Sequence, residues 1–281
     1  MFKIIYESNV PGRVPFYEVE RRVTDWLVAG ITHVMIQVDD GRGATWNSAY
    51  LPLNPNSYAT ALQDHVAYYR AQGLKVILTF NLSGLYASDS PVRPDYLLAD
   101  VPAPSHYYDL WRPEVRQWKV DIINECLNTV YCDAVGLDFV RTGREATSET
   151  ISPAQVMETM LTQVREVVPF PIIHLANAGW PGKVPPLQGI DVWSWYRKGL
   201  VDYSCLFWYL AKWPLLRVVP IDRTIIMPAC YDSVTGESKS GVQVNREHAA
   251  LCRAYPGMAG YSLYLANKFT RDQAENIKAW E

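Results

Sequence analysis

Four carboxylates stand at the ends of apolar runs of the sequence, and their type and position suit acid–base or nucleophilic chemistry. Each follows a short stretch rich in β-branched and aromatic residues. They are Glu7, Asp40, Asp138 and Asp232. A pair of carboxyl groups can divide the work of bond cleavage, because one protonates a leaving oxygen while the other attacks carbon or activates water. These four residues are therefore the candidate catalytic residues.

Asp138 is the most informative of the four. The run G-L-D-F-V-R (136–141) places its carboxylate inside an otherwise apolar strand, where an unpaired charge would be costly. Asp138 is therefore expected either to have an ion-pair partner or to have a catalytic role. Arg141 is the alternative explanation, since an ion pair between the two would make Asp138 structural. The other carboxylates at strand ends favour catalysis, so we predict Asp138 as nucleophile or base and Asp232 or Asp40 as the acid.

The remaining carboxylates allow two interpretations each. The segment D-D-G-R-G (39–43) also suits a strand-to-turn junction, where Asx turns and glycines are common. Because successive side chains of a strand point to opposite faces, one of Asp39 and Asp40 points inward and the other outward. The sequence alone does not show which of the two points inward. Asp232 begins a polar loop and is equally suited to form a turn. Glu7 has the same open status.

Amide and aromatic side chains end the same apolar runs. The chain has ten Trp and eighteen Tyr against seven Phe, a bias toward rings with a polar group. Amides and carboxylates bind hydroxyl groups, and aromatic rings stack on the apolar faces of sugars. The pattern thus predicts a carbohydrate-binding rim. Its predicted members are Tyr6, Asp39, Asn81, Arg141, Asn177, Trp208, Tyr209, Tyr231, Tyr264 and Asn267.

Eight short, nearly continuous apolar runs must position these residues. They cover 3–7, 31–40, 74–81, 133–141, 171–177, 201–209, 223–232 and 257–267. Continuous apolar character is typical of strands covered on both faces. Because amphipathic segments separate the runs, the sequence predicts a single α/β domain over 1–281, a (β/α)8 TIM barrel. The C-terminal ends of barrel strands carry the active site in this fold.

Two connections depart from the regular pattern. Residues 82–111 form a long loop after the third strand, which we expect to be a lid or a wall of an extended cleft. The segment 212–220 carries two prolines and predicts a short or irregular sixth helix.

Helix start signals mark several of the intervening segments. They are Ser57 as a cap ahead of a buried face of Tyr58, Leu62, Val66 and Tyr69; Pro113 at a first turn; Ser152 before Pro153; and a capping box of Thr270 with Gln273.

Composition excludes several classes of protein. A chain of 281 residues with 49% apolar content and net charge −3 is globular, and its dispersed Lys and Arg argue against nucleic-acid binding. The N-terminal segment resembles neither a secretory signal nor a membrane anchor, so we expect a cytoplasmic protein or one carried on a virus particle. Five dispersed cysteines predict reduced core thiols, and the histidine spacing predicts no metal site. We expect no cofactor; the oligomeric state stays open.

Three segments resemble the glycoside-hydrolase-like (β/α)8 proteins, akin to glycosyl-hydrolase-like family ten and its relatives. They are W-R-P-E-V-R (111–116) ahead of a helix, D-A-V-G-L-D-F-V-R (133–141) at the fourth strand, and W-S-W-Y-R-K-G-L-V-D-Y-S-C-L-F-W-Y (193–209) through the sixth strand. The resemblance implies cleavage of a glycosidic bond in an oligo- or polysaccharide, with Asp138 as the catalytic carboxylate.

The sixth strand departs from that resemblance. Related barrels often place the acid there, whereas this run ends L-F-W-Y (206–209) without a carboxylate. The second carboxylate then comes from Asp232, Asp40 or Glu7, or the protein is a carbohydrate-binding barrel without activity. A lyase or aldolase is disfavoured, because no Lys ends a strand and no Gly-rich phosphate loop follows the last strands.

Overall fold

A computed structural model describes most of the chain. The described residues are 1–7, 9, 11–38, 41–85, 92–98, 106–140, 142, 151–177, 191–208, 220–231, 235–264 and 266–277. Eight parallel strands form a closed barrel, with each of the eight predicted runs supplying one strand. The strands are β1 (Phe2–Glu7), β2 (His33–Gln37), β3 (Lys75–Asn81), β6 (Ala134–Asp138), β7 (Ile172–Asn177), β8 (Tyr203–Trp208), β9 (Thr224–Pro228) and β10 (Gly260–Tyr264). This confirms the predicted (β/α)8 barrel.

Helices pack around the barrel. In the described residues they are α1 (Phe16–Val28), α2 (Ala61–Ala71), α3 (Pro113–Thr129), α4 (Pro153–Val167), α5 (Val192–Arg197), α6 (Gly241–Ala254) and α7 (Arg271–Ile277). The segment 212–219, where the sequence predicts a short or irregular sixth helix, lies outside the described residues, and the described end of this connection is a 3-10 turn at Ile221–Arg223. No helix in the described residues is both long enough and apolar enough to cross a bilayer.

Three of the four helix start signals are confirmed, since Pro113 occupies the first turn of α3 and the two capping pairs form hydrogen bonds at their helix ends. Ser152 and Gln155 form a capping box, and Pro153 occupies the first turn of α4. Thr270 and Gln273 exchange backbone-to-side-chain bonds of 3.2 Å ahead of α7.

The Ser57 cap is wrong. Helix α2 begins at Ala61 after Thr60, while the Ser57 hydroxyl donates to the Pro11 carbonyl at 2.6 Å. Tyr58, placed on the buried face by the sequence, is 42% exposed because it precedes the helix.

The long connection after β3 contains structure of its own. Two short strands, β4 (Gly84–Leu85) and β5 (His106–Tyr107), pair antiparallel beside the barrel. Tyr108 N–H donates to the Ser83 carbonyl at 2.7 Å, and the Tyr108 ring packs edge-on against Trp118 of α3. The described part of this connection is therefore anchored to both β3 and α3.

Side chains alternate between the barrel lumen and the surrounding helix layer. The lumen cluster contains Ile4, Tyr6, Met35, Ile77, Ala134, Ile173, Leu175, Cys205, Ile225 and Met227. Their strand neighbours, such as Ile5, Leu78 and Leu137, pack outward in the larger cluster beneath the helices. Both faces of each strand are thus apolar, which explains the continuous runs. All five cysteines are free thiols, and four of them are buried.

Candidate functional site

Asn81 and Asp138 form a polar pair where β3 and β6 end. The two residues are neighbours in the strand register. Asn81 lies on the same face of β3 as the lumen residue Ile77, and Asp138 lies on the same face of β6 as Ala134. Both side chains are buried, with exposures of 1% and 8%. The structure therefore brings together two of the predicted site residues at the C-terminal end of the lumen.

The Asn81 amide is buried without hydrogen bonds. Neither its Oδ1 nor its Nδ2 has a partner in the described part of the chain, and the same holds for the Thr79 hydroxyl one layer deeper. Leaving a buried polar group unpaired costs free energy, so such groups usually have a ligand or a water. Asn81 thus offers an amide NH2 donor and a carbonyl acceptor, both without a partner in the described residues, beside a carboxylate.

The backbone at Asn81 is held from outside the barrel. Lys119 of α3 is buried, and its Nζ donates to the Asn81 carbonyl at 3.0 Å. The same ammonium lies 4.3 Å from the centre of the Tyr108 ring and 5.1 Å from that of Trp118. Cation–π contacts of this kind stabilise a desolvated ammonium. Lys119 therefore fixes the strand end that presents the Asn81 amide.

Asp138 is held by its own strand end. The Phe139 N–H donates to Asp138 Oδ1 at 2.7 Å, and the Leu82 N–H donates to the Asp138 carbonyl at 3.0 Å. Cys205 lies behind it in the lumen, where burial above all, with the Asp138 charge as a smaller cause, raises the pKa of the thiol. Cys205 is consequently a neutral neighbour of the carboxylate.

Three tyrosines form the opposite side of the mouth. The rings of Tyr6 and Tyr264 lie 5.4 Å apart between centroids, and those of Tyr231 and Tyr264 lie 6.2 Å apart. The Tyr6 hydroxyl donates to Gln37 Oε1 at 3.4 Å. Burial raises the pKa of Tyr231. These rings join the ends of β1, β9 and β10 into one aromatic wall.

Glu7 occupies a different environment from Asp138. It shares the outward face of β1 with Ile5, and its Oε2 lies 3.1 Å from Arg22 Nη1 of α1. Its Oε1 accepts from the backbone and side-chain nitrogens of Asn9. Burial raises the pKa of Glu7, while the Arg22 charge lowers it in part. Glu7 is thus an ion-pair partner between β1 and α1, and the structure does not bring it to the lumen beside Asp138.

The other predicted residues divide into three groups. Asn267 is exposed on a 3-10 turn that follows β10. Asn177 and Trp208 end β7 and β8, but their side chains lie outside the described residues. Asp39, Asp40, Arg141, Tyr209 and Asp232 also lie outside the described residues.

Four residues that sequence reasoning did not single out contact this site. Gln37 and Thr79 are polar side chains at lumen positions of apolar strands, a signal that period-two alternation carries. Lys119 stands in an amphipathic helix and gives no such signal. Phe139 looks apolar in the sequence, and only its backbone conformation sets it apart.

The fold is one that glycoside hydrolases use. Over 94% of both chains, the barrel matches the PgaB (BpsB) glycoside hydrolase domain from Bordetella bronchiseptica with a TM-score of 0.71 at 11% identity. Nearly the whole chain, 99%, matches α-L-fucosidase isoenzyme 2 from Paenibacillus thiaminolyticus with a TM-score of 0.65 at 12% identity. The same share matches the GH36 α-galactosidase AgaA from Geobacillus stearothermophilus with a TM-score of 0.64 at 14% identity.

These likenesses establish the shared (β/α)8 fold. The chain spans 48% of the fucosidase and 41% of the galactosidase. No model of a protein family and no curated protein sequence matches the chain. Assignment to family ten, which the sequence motifs resemble, is not confirmed.

Proposed function

We propose that this protein is a glycoside hydrolase with Asp138 as a catalytic carboxylate. One observation carries the proposal. A buried carboxylate faces the barrel lumen beside Asn81, whose amide donor and acceptor have no partner in the described chain. A hydroxyl-rich ligand satisfies such an amide, since each sugar hydroxyl both donates and accepts. The likeness of the fold to glycoside hydrolase domains supports the same chemistry.

In this proposal Asp138 is the nucleophile or base. The acid is Asp232 or Asp40, and their separation from Asp138 decides the stereochemistry. Carboxyl groups about 5 to 5.5 Å apart retain the anomeric configuration, and groups roughly 6.5 to 9.5 Å apart invert it. Glu7 has a structural role here, because its carboxylate is engaged by Arg22.

The aromatic wall and the strand-end amides bind the sugar. Tyr6, Tyr231 and Tyr264 stack on apolar sugar faces, while Asn81 binds hydroxyl groups. The remaining proposed binding residues are Asp39, Arg141, Asn177, Trp208, Tyr209 and Asn267.

Replacement of Asp138 by Asn tests the catalytic role. Asparagine keeps the shape but cannot act as base or nucleophile, so we expect activity to fall by about 10²- to 10⁴-fold. The assay is release of product from a panel of fucosides, galactosides and amino-sugar oligosaccharides, with detection of new reducing ends.

Asp133→Asn is the matched control. Asp133 precedes β6 at the opposite end of the barrel, where it pairs with Arg70 at 3.0 Å. Its substitution changes the same charge in the same segment and leaves cleavage unchanged. Wild-type rates in Asp138→Asn would contradict the proposal.

A carbohydrate-binding barrel without catalysis is the second candidate. The position of Glu7 favours this function. Glu7 faces α1, so among the described candidate carboxylates only Asp138 faces the mouth, and catalysis normally needs two. Isothermal titration of the same glycans distinguishes the two functions. Binding without any product after long incubation, and with equal affinity in Asp138→Asn, would establish this second function.

A further inference from the structure

We infer that Phe139 is a positioning residue for Asp138, held in a strained backbone conformation by Ser83 and Gly84. The inference rests on the proposed function, since it explains how the catalytic carboxylate is aimed. The residues involved are 82–84, which follow β3, and Phe139, the first residue after β6.

Phe139 has a left-handed backbone with φ of +52°. Among the described residues, Arg93 is the other non-glycine residue with positive φ, and it stands beside an exposed 3-10 turn. A bulky residue in this conformation is a true outlier, because its Cβ crowds the backbone. Strain of this kind persists where the surroundings enforce it, and such positions concentrate at active sites.

Ser83 and Gly84 enforce the conformation of Phe139. The Ser83 hydroxyl donates to the Phe139 carbonyl at 2.8 Å. Gly84 lies directly against the Phe139 ring, and a Cβ atom added there would overlap it. The Tyr107 ring packs edge-on at 6.2 Å between centroids. The segment after β3 thus contacts both the carbonyl and the ring of Phe139.

These contacts of Phe139 also restrain Asp138. The contacts of Ser83 and Gly84 hold Phe139 in place, and the Phe139 N–H donates to Asp138 Oδ1 at 2.7 Å, while the Leu82 N–H donates to the Asp138 carbonyl at 3.0 Å. Both bonds depend on the same two strand ends. A catalytic group must be held within about 0.5 Å of its productive position. The Ser83–Gly84–Phe139 contact supplies that restraint for the carboxylate.

A merely structural role would give a different set of effects. If the turn served only to end β6, its disturbance would lower stability and leave the turnover of the folded protein intact. If it positions Asp138, turnover falls while substrate affinity stays close to its wild-type value. The separation of kcat from KM therefore distinguishes the two roles.

The experiment uses Ser83→Ala and Gly84→Ala in the full chain. We expect kcat to fall by about tenfold in Ser83→Ala and by about 10²-fold in Gly84→Ala, because misplacement by about 1 Å can cost that much. KM stays within about twofold of wild type. In the double variant Gly84→Ala/Phe139→Asn the overlapping ring is gone, so its kcat equals that of Phe139→Asn alone.

Ser204→Ala is the matched control. Ser204 is buried on β8, and its hydroxyl accepts from Tyr196 of α5 at 2.7 Å, away from the mouth. Its loss removes a buried serine hydroxyl, as in Ser83→Ala, together with its bond to Tyr196 and a longer contact to His174 Nδ1 at 3.5 Å, and leaves kcat unchanged. Equal kcat losses in Ser204→Ala and Ser83→Ala would overturn the positioning role.

Crystal structures of the same variants test the inference without any substrate. We expect the Asp138 carboxylate in Gly84→Ala to move by more than about 0.5 Å. An unmoved carboxylate, or unchanged kcat in both variants while Asp138→Asn is inactive, overturns the inference and leaves the proposed function standing. Absence of any cleavage by the wild type counts against the proposed function, and the carboxylate position still decides the positioning role.

Discussion

Glu7 and Asp138 are two carboxylates in equivalent places, each the last residue of a barrel strand. Both are almost fully buried, with exposures of 5% and 8%. Glu7 faces α1 and pairs with Arg22, whereas Asp138 faces the lumen beside Asn81, whose amide has no hydrogen-bond partner among the described residues. The two environments differ because Glu7 lies on the outward face of its strand and Asp138 on the lumen face. Burial and position at a strand end therefore do not distinguish a carboxylate held in an ion pair from one that faces the lumen, whereas the face of the strand does.

The largest expected effect on stability follows from loss of the ion pair between Glu7 and Arg22. Glu7→Gln removes the closer and more buried of the two carboxylates that pair with Arg22, and leaves only the longer contact to the more exposed Glu18 at 3.5 Å. Breaking a buried pair by removing one member costs about 3 kcal/mol of unfolding free energy. Urea denaturation measures this loss, with Asp25→Asn, a more exposed ion-pair partner of Arg271, as the control. A stability equal to wild type would remove Glu7 from its structural role.

The next effect concerns pH at the same side of the barrel. His65 Nε2 accepts from the Gly12 N–H at 3.3 Å, and burial lowers the pKa of His65 to about 4. The unfolded chain takes up this proton near pH 6.5, so stability is present above that pH and is lost as pH falls toward 4. We expect His65 to account for about 3 kcal/mol of the loss, since its pKa falls from 6.5 to about 4 and each pKa unit corresponds to about 1.4 kcal/mol.

His65→Gln is the matched variant, because glutamine keeps an acceptor for Gly12 but does not titrate. Its unfolding free energy, measured by urea denaturation at several pH values, therefore falls less steeply between pH 6.5 and 4. An unchanged slope would show that the Gly12 contact does not sense protonation.

The smallest effect expected belongs to the binding side of the mouth. Asn81→Ala removes the amide beside Asp138 and weakens sugar binding by about tenfold, equivalent to roughly 1.4 kcal/mol for one or two hydrogen bonds. Stability changes little or rises, because the variant removes a buried amide that has no partner within the described parts of the chain. Titration of the glycan substrate measures the affinity, with the exposed Asn128→Ala on α3 as the control. A large loss of stability with unchanged affinity would assign Asn81 to the core.

Much of the fold was predictable from local signals. Continuous apolar runs located all eight barrel strands, and caps such as Ser152 and Thr270 located helix starts. The Ser57 cap failed for a tertiary reason, since its hydroxyl bonds the Pro11 carbonyl, 46 residues away in the sequence.

The candidate site was predictable in its residue types but less in its geometry. Asp138, Asn81, Tyr6 and Tyr264 were identified from their place at strand ends, and the structure gathers them around the mouth. The face of Glu7 could not be read, because Ile4 and Ile5 make both faces of β1 apolar. The strained turn at Phe139 arises from contacts between distant segments and leaves no mark on the sequence.

The most direct test compares Asp138→Asn with Glu7→Gln in one assay of glycoside cleavage, together with urea denaturation of both variants. The account predicts that Asp138→Asn loses about 10²-fold or more of its activity and keeps its stability. It predicts that Glu7→Gln loses stability and keeps its activity under folding conditions. Loss of activity in Glu7→Gln with full cleavage by Asp138→Asn would contradict it.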